Sequence, residues 1–379
     1  MKKRMGLCGA FALLGGVWGG TAAHAQSSVL LYGVMDMGLQ RTVAGGNGAV
    51  NALSSAGLTT SRIGFRGTED LGGGLAAGFM LEGSLNPDTG TGRATNSNNQ
   101  ASGASVAGPL TFDRESYVSL SGSLGEVRLG REFSPTHYNS IAFDPFNANG
   151  VARAGNFTFA GVGSGPLPTA VNASNSVSYW LPKHIGGFYG MALAALGENA
   201  STAPNPNDGR VLGARFGYAS GPFDVAAAAT RTRYASTTTV GDYTYASVGG
   251  TWDLGVAKLF ALYNVVTVDL STGRVKKNTA EIGAHISVGD AGRIRLSYAR
   301  LDDHSDAALR NGDASPRSAN DASQFGIGYV YTLSKRSALY GTYGRVLNHG
   351  QATYAVTGGS APAPGLRSSG LEFGVRHLF

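Results

Sequence analysis

The chain has 379 residues and a formal net charge of +6, and only 14% of its residues are charged, against about 25% in an average soluble protein. Glycine occurs 58 times, about twice its usual share of ~7%. This composition argues against an ordinary helical enzyme, and the mild charge without a basic cluster argues against nucleic-acid binding.

The first residues have the pattern of a secretory signal peptide, which we place at residues 1–25. Residues 2–4 are basic, residues 5–20 are uncharged, and residues 23–25 (Ala-His-Ala) form a small-x-small cleavage site. The uncharged stretch is long enough to span a membrane, but its six glycines and the cleavage triplet favour a signal peptide. The only cysteine, Cys8, lies within the signal, so we expect no lipid anchor and no disulfide.

The remaining chain, residues 26–379, is predicted to form one domain of β-strands. It contains no uncharged apolar run near 18 residues, which excludes a helical membrane protein. Instead, segments of about ten residues alternate in polarity with a period of two. The breaks between them alternate between tight turns, as at residues 220–222 and 289–292, and long polar stretches, as at residues 86–110 and 302–320. Short turns on one side and long loops on the other are typical of an outer-membrane barrel.

The alternation predicts sixteen strands, and single-chain bacterial barrels have an even number. Closure into a barrel explains how so many strands leave no open edge in lipid. A soluble β-sandwich is excluded because the chain exceeds its usual length several-fold. The predicted strands are 29–40, 58–69, 74–85, 111–121, 126–131, 174–181, 187–197, 210–219, 223–234, 242–252, 255–268, 278–288, 293–302, 322–333, 337–347 and 367–379. We therefore predict an all-β fold, a 16-stranded antiparallel transmembrane β-barrel with short periplasmic turns and long extracellular loops.

The last predicted strand keeps its apolar face to the final residue. Leu371, Phe373, Val375 and Phe379 share one parity, and a period of two puts them on one face of the sheet. Chain ends usually fray, so we expect this face to be covered by outer-membrane lipid. Closure requires this strand to pair antiparallel with strand 29–40.

Several contiguous motifs stand out along the chain, at residues 31–36, 61–75, 78–83, 112–122, 125–131 and 374–379. Together they closely resemble the trimeric general porins of β-proteobacterial outer membranes. The resemblance implies a homotrimer in the outer membrane that passes inorganic ions and small hydrophilic solutes without a cofactor. It also implies that the barrel assembly machinery recognises Phe379.

The resemblance further implies that the third extracellular loop folds into the barrel and narrows it. The corresponding segment is residues 132–173, the longest break in the chain, and it contains the Phe-Asp-Pro-Phe motif at residues 143–146. Long loops without secondary structure are uncommon unless they are functional. The aromatic content of this segment favours packing over disorder.

Alternation predicts which charged side chains face the lumen. Arg62 and Arg66 share a parity opposite to that of Ile63 and Phe65, and Glu82 is likewise opposite in parity to its apolar neighbours. A charge on the lipid face costs about 2–4 kcal/mol near the middle of the bilayer. We therefore expect Arg62, Arg66 and Glu82 to face water.

The resemblance places Arg62 and Arg114 in a basic wall of the pore constriction, with Glu82 among the acids. Alternation alone would not point Arg114 inward. Arg131 begins the third loop and is expected to join the cluster, Arg153 is a further candidate, and Asp144 is expected to be an acid on the loop. Such a constriction would carry a transverse field that favours anions. The alternative is that these arginines only solvate the barrel interior.

Two other functions remain open at this stage. An outer-membrane barrel enzyme would need catalytic residues, but the histidines lack metal-ligand spacing and residues 26–379 contain no Gly-x-Ser-x-Gly motif. The strongest candidates for such a site are Asp302, Asp303, His304 and Asp306. We expect these residues to form a solvated loop instead. We therefore predict no enzyme activity and no metal. A substrate-specific channel would need an aromatic track along the pore, which alternation cannot reveal for loop residues.

Overall fold

A computed structural model describes residues 28–158, 167–183 and 185–379. The predicted signal peptide, residues 1–25, and its cleavage site lie outside the described residues. Among the described residues, no helix combines the length and the apolar character needed to cross a membrane.

The described chain consists of eighteen strands with short helices in the loops. Two of the strands, β2 and β5, are short additions to the loops, and the other sixteen form the barrel wall. The strands are β1 (Ser28–Ala44), β2 (Gly48–Ser55), β3 (Arg62–Gly72), β4 (Leu75–Asn86), β5 (Thr91–Gly92), β6 (Glu115–Gly122), β7 (Gly125–Phe133), β8 (Asn172–Trp180), β9 (Phe188–Ala195), β10 (Val211–Ser220), β11 (Phe223–Thr232), β12 (Asp242–Asp253), β13 (Ala257–Leu270), β14 (Gly273–Val288), β15 (Gly292–Asp303), β16 (Ala322–Thr332), β17 (Ser337–Asn348) and β18 (Ser368–Leu378). Two α-helices, α1 (Pro135–Phe143) and α2 (Gly155–Thr158), lie between β7 and β8.

The wall is a closed antiparallel ring, which confirms the predicted fold. Each wall strand pairs with the next, and β18 pairs antiparallel with β1 from Val34↔Leu378 to Ala44↔Ser368. The opposite edge of β1 is divided, because its first residues pair with β3 and residues 37–44 pair with β2. All sixteen predicted strands correspond to wall strands.

The sequence prediction missed two features of the ring. Strand β2 forms a hairpin with residues 37–44 of β1, across a turn in which Gly46 and Gly48 have positive φ. Strand β13 ends at Leu270 and strand β14 already begins at Gly273. The sequence had predicted a longer break between these strands, from residue 269 to residue 277. The sixth extracellular connection is therefore a tight turn.

The two faces of the wall differ as alternation predicts. Large apolar side chains such as Leu39, Phe216 and Ile282 are exposed on the outside, whereas polar and charged side chains such as Glu372 are buried inside. A closed ladder satisfies the backbone, so the outer face can meet hydrocarbon without open hydrogen-bonding groups.

We define loop 3 as residues 134–171 between β7 and β8. Its described residues, 134–158 and 167–171, lie inside the barrel as predicted. Helix α1 packs against β9–β13, and the loop's rings fit against glycines of the wall. A Cβ added to Gly249 would lie 2.6 Å from Cδ2 of Phe143, and one added to Gly326 would lie 2.9 Å from Cε2 of Phe146. The absence of side chains at these wall positions therefore lets loop 3 approach the sheet closely.

Asp144 lies inside loop 3 and not on its surface. Its side chain is 0% exposed, and its carboxylate accepts hydrogen bonds from the backbone N–H groups of Phe146 (2.7 Å), Ala148 (3.0 Å) and Ala154 (3.0 Å). Burial raises the pKa of Asp144 to about 6, because desolvation outweighs the three backbone donors. Asp144 therefore organises the loop and presents no charge to the lumen.

We predict that deletion of Phe379 impairs barrel assembly. The backbone of Phe379 exchanges two 3.1 Å hydrogen bonds with Gly33, and a Cβ on Gly33 would lie only 2.2 Å from Cζ of its ring. Deletion therefore removes the last pair of backbone hydrogen bonds between β1 and the end of the chain, and it also removes the aromatic ring that covers Gly33. The measurement is the yield of folded protein on gels of unheated samples. Phe373→Ala is the control, because it removes an equal ring from the same face and leaves the ladder complete. Normal yield without Phe379 would contradict the prediction.

We also predict that Asp144→Asn loosens loop 3. An amide cannot accept from three N–H groups as a carboxylate does, and leaving buried donors unpaired costs about 1–3 kcal/mol. Trypsin should then cleave faster after Arg153, and single channels should close more often. Asp290→Asn, in the exposed turn between β14 and β15, removes the same charge as a control. Unchanged cleavage and unchanged current noise would show that Asp144 does not hold the loop.

Candidate functional site

The centre of the site is Glu82, a lumen-facing residue of β4 that is 5% exposed. Its carboxylate pairs with Arg62 (Nε to Oε2, 3.0 Å) and with Arg114 (Nε to Oε1, 2.5 Å). Tyr32 also donates its hydroxyl to Oε2 at 2.8 Å. The structure therefore brings together three of the residues that the sequence assigned to the constriction.

The position of Arg114 explains why strand alternation did not point it inward. Strand β6 begins only at Glu115, so Arg114 precedes the strand in a bend and alternation does not apply to it. Its backbone N–H donates to the carbonyl oxygen of Glu82 at 3.2 Å. Its guanidinium carbon lies 4.9 Å from the centroid of the Phe133 ring, a separation typical of cation–π contacts.

Arg66 also faces the lumen but lies nearer to the end with the short turns. Its side chain is exposed, and its guanidinium carbon lies 5.5 Å from the centroid of the Tyr32 ring. Arg66 therefore adds positive charge below the Glu82 cluster and does not contact the carboxylate.

Arg131 lies beside the cluster and supports loop 2, which we define as residues 87–114. It lies at a bulge between Gly130 and Glu132. Its guanidinium donates to the carbonyl oxygens of Asp113 (2.6 Å) and Asn96 (3.2 Å) and to Oγ of Ser174 (2.7 Å). Arg131 does not line the cavity described next.

A cavity of about 730 Å³ separates the basic wall from loop 3; we call it the constriction cavity. Four arginines line it, and they are Arg62, Arg93, Arg114 and Arg153. The sequence prediction missed Arg93, because it lies in loop 2, where no periodicity marks the direction of a side chain. The surroundings of Arg153 lower the pKa of its guanidinium, chiefly through desolvation.

The face of loop 3 toward the constriction cavity carries little charge apart from Arg153. The other described loop residues that line it include Ile141, Asn147 and Asn149. Burial lowers the pKa of His137, which also lines the cavity, to about 3, so its imidazole is neutral at pH 7. The expected acidic loop opposite a basic wall is therefore not what the described residues form.

The acids near the constriction cavity are occupied by protein donors. Asp113 accepts from the backbone N–H (2.6 Å) and the hydroxyl (2.9 Å) of Ser84, and Glu82 is held by its two arginines and Tyr32. The four lining arginines outnumber Asp113, the one acid among the described residues that line the constriction cavity. Among the described residues, no group of three or more His, Cys, Asp or Glu side chains could hold a metal ion. The arrangement suits electrostatic selection of passing ions.

Comparisons with known proteins agree with this architecture. The sequence profile of the Gram-negative porin family matches residues 10–351. Outer membrane porin protein 32 of Delftia acidovorans is 33% identical over 94% of this chain and 96% of that protein.

Solved structures show the same barrel. The anion-selective porin from Comamonas acidovorans is 32% identical, with a TM-score of 0.79 over 93% of this chain and 100% of that one. The trimer form of OmpT from Vibrio cholerae is 14% identical, with a TM-score of 0.62 over 93% of this chain and 99% of that one, and shares the fold alone. The predicted porin resemblance is therefore confirmed: the chain belongs to the Gram-negative porin family, whose members are channels, and it is a passive-diffusion porin of the outer membrane.

Proposed function

We propose that this porin is an anion-preferring homotrimer that passes inorganic ions and small hydrophilic solutes without a cofactor or catalytic turnover. The observation that carries the proposal is the constriction cavity, in which Arg62, Arg93 and Arg114 face a surface of loop 3 that adds Arg153 and whose described lining residues offer no acid. A fixed net positive charge in a narrow lumen raises the local concentration of anions and opposes cations. The printed title of the Comamonas relative, an anion-selective porin, supports the same preference.

We assign the individual residues from their contacts. Arg62 and Arg114 set the charge selectivity, and Glu82 holds their guanidinium groups in place. Arg66 contributes a weaker field toward the short-turn end, since it is exposed to water. Arg131 supports the selectivity only indirectly, through loop 2.

A general pore fits the cavity better than a substrate-specific channel. Among the described residues that line the constriction cavity, Phe133 is the only Phe, Tyr or Trp, whereas a specific channel would need a track of rings. Arg114 covers this ring. Solutes would then be sorted by size and charge.

The remaining partners follow from the outer surface and the chain ends. Exposed apolar residues of the wall contact outer-membrane lipid, and β1 with its neighbours supplies the trimer contact. The barrel assembly machinery recognises the terminal strand with Phe379. The signal peptide, residues 1–25, directs export and is removed.

The trimer can be tested on gels. Unheated detergent extracts should migrate as an oligomer, and heating should convert them to a band at the monomer mass. The physical reason is that apolar wall strands of neighbouring copies cover one another in the membrane. A monomer-sized band in mild detergent, from protein that still conducts in bilayers, would refute the trimer.

The selectivity assignment predicts the effect of replacing Arg62, Arg66 and Arg114 together with Gln. The chloride-to-potassium permeability ratio should fall roughly twofold or more in 0.1 M salt, where the Debye length is ~10 Å, and the difference should fade in concentrated salt. Reversal potentials across a planar bilayer under a salt gradient measure this ratio.

The matched control removes three positive charges far from the constriction. Arg210, Arg274 and Arg300 are exposed, and their joint replacement with Gln changes the net charge of the chain equally. The control should keep the parental reversal potential. If the Arg62/Arg66/Arg114 variant also keeps it in dilute salt, the basic wall does not set selectivity.

A further inference from the structure

The tip of loop 3, which we define as Pro145 and Phe146, lies against three neighbouring strands of the wall. A Cβ added to Gly283 of β14 would overlap the Pro145 ring, and one added to Gly328 of β16 would lie 3.2 Å from Cε1 of Phe146. The tip therefore has no room to move further toward the wall. Two rows of paired residues from β14, β15 and β16 form its seat. The residues of one row are His285, Arg295 and Gly328, and those of the other are Gly283, Ser297 and Gly326.

Two side chains of the first row hold the tip in this seat. His285 donates from Nε2 to the carbonyl oxygen of Pro145 at 2.7 Å. The guanidinium carbon of Arg295 lies 4.5 Å from the centroid of the Phe146 ring, a separation typical of cation–π contacts. Phe146 is 0% exposed and Arg295 is 1% exposed. Because cation–π contacts are strongest where both groups are desolvated, this one is well placed to hold the tip.

The hydrogen-bonding groups of Arg295 are otherwise unused by the described part of the chain. Its Nε, Nη1 and Nη2 atoms are buried, and none of them has a hydrogen-bond partner among the described residues. The carboxylates of Asp144 and Glu372 attract the guanidinium through their charge alone. A buried charge without such partners costs free energy, and a well-packed apolar side chain in its place is often neutral or stabilising. Stability of the barrel therefore does not account for an arginine at this position.

The position of the tip affects the width of the passage. Asn147 and Ala148 follow Phe146 directly in the chain, and both line the constriction cavity. This cavity lies between loop 3 and the basic wall, whereas the glycines of the seat block movement in the other direction. A tip that leaves its seat therefore carries residues 147 and 148 into the passage.

We propose that Arg295 is a positioning residue that sets the solute size limit of the pore. It does not line the constriction cavity itself. It acts through Phe146, because the cation–π contact keeps Asn147 and Ala148 out of the passage. The inference goes beyond the proposed charge selectivity, since the sieving of neutral solutes does not depend on the charges of the basic wall.

The test compares the swelling of liposomes that contain the full-length porin in raffinose, a neutral trisaccharide, and in arabinose, a neutral monosaccharide. In Arg295→Met the rate in raffinose relative to arabinose should fall at least about threefold, because the released tip narrows the passage for the larger sugar. Arg295→Lys should keep most of the wild-type ratio, since an ammonium group can replace the guanidinium over the ring.

Two controls separate this contact from a general loss of charge or packing. Arg293→Met removes an exposed arginine from the same face of β15 and should leave the ratio unchanged. Phe146→Leu removes the ring and should lower the ratio as Arg295→Met does. The double variant Arg295→Met/Phe146→Leu should be no worse than the poorer single variant, because each side chain acts through the other.

A purely structural role of Arg295 gives different results. It predicts a normal ratio in Arg295→Met, and that result would overturn the proposal. An equal loss in Arg293→Met or additive losses in the double variant would also overturn it. If Arg295→Met does not assemble, Arg295→Gln, which keeps hydrogen-bond donors without the charge, should show the same loss. Arg295→Met should keep its chloride preference because Arg62 and Arg114 are intact, so a wild-type pore without that preference would refute only the proposed selectivity.

Discussion

The structure depends on the closure of one hydrogen-bond ladder. In hydrocarbon each unpaired backbone group costs several kcal/mol, so a sheet in the membrane has to leave no edge. The first and last strands meet this requirement by pairing antiparallel, and the ladder ends at Gly33 and Phe379. Because the ring is closed, its inner face can carry charges that the outer face cannot.

The position of loop 3 determines which part of the lumen stays open. Helix α1 packs against β9–β13, and the rings of Phe143 and Phe146 lie against wall glycines. This half of the interior is filled, and the guanidinium carbon of buried Arg295 lies 4.5 Å from the centroid of the Phe146 ring. The passage is left along the opposite half, from β3 to β8, where Arg62 and Arg114 lie. Arg62 and Arg114 therefore lie on one side of the barrel, and Phe143 and Phe146, whose rings hold loop 3 against the wall, lie on the other.

Sequence periodicity predicted the wall far better than the loops. Period-two alternation yielded all sixteen wall strands and the inward direction of Arg62, Arg66 and Glu82, because a pleated strand leaves a side chain only two directions. Arg114 and Arg131 could not be placed by alternation, since one precedes its strand and the other lies at a bulge. Arg93 and Asp144 lie in loops, where direction depends on tertiary contacts alone. Asp144 in particular turns inward to satisfy three N–H groups of its own loop.

The presence of Glu82 at a site that favours anions follows from the repulsion between two close arginines. Without a carboxylate between them, Arg62 and Arg114 would be two like charges in a poorly hydrated wall, which is costly. Glu82 offsets that repulsion, and its oxygens are already held by both guanidinium groups and by Tyr32. A passing cation therefore finds a carboxylate whose acceptor positions are taken, whereas a passing anion finds Arg93 and Arg153 across the same cavity. One acid can therefore stabilise the basic wall without making the passage selective for cations.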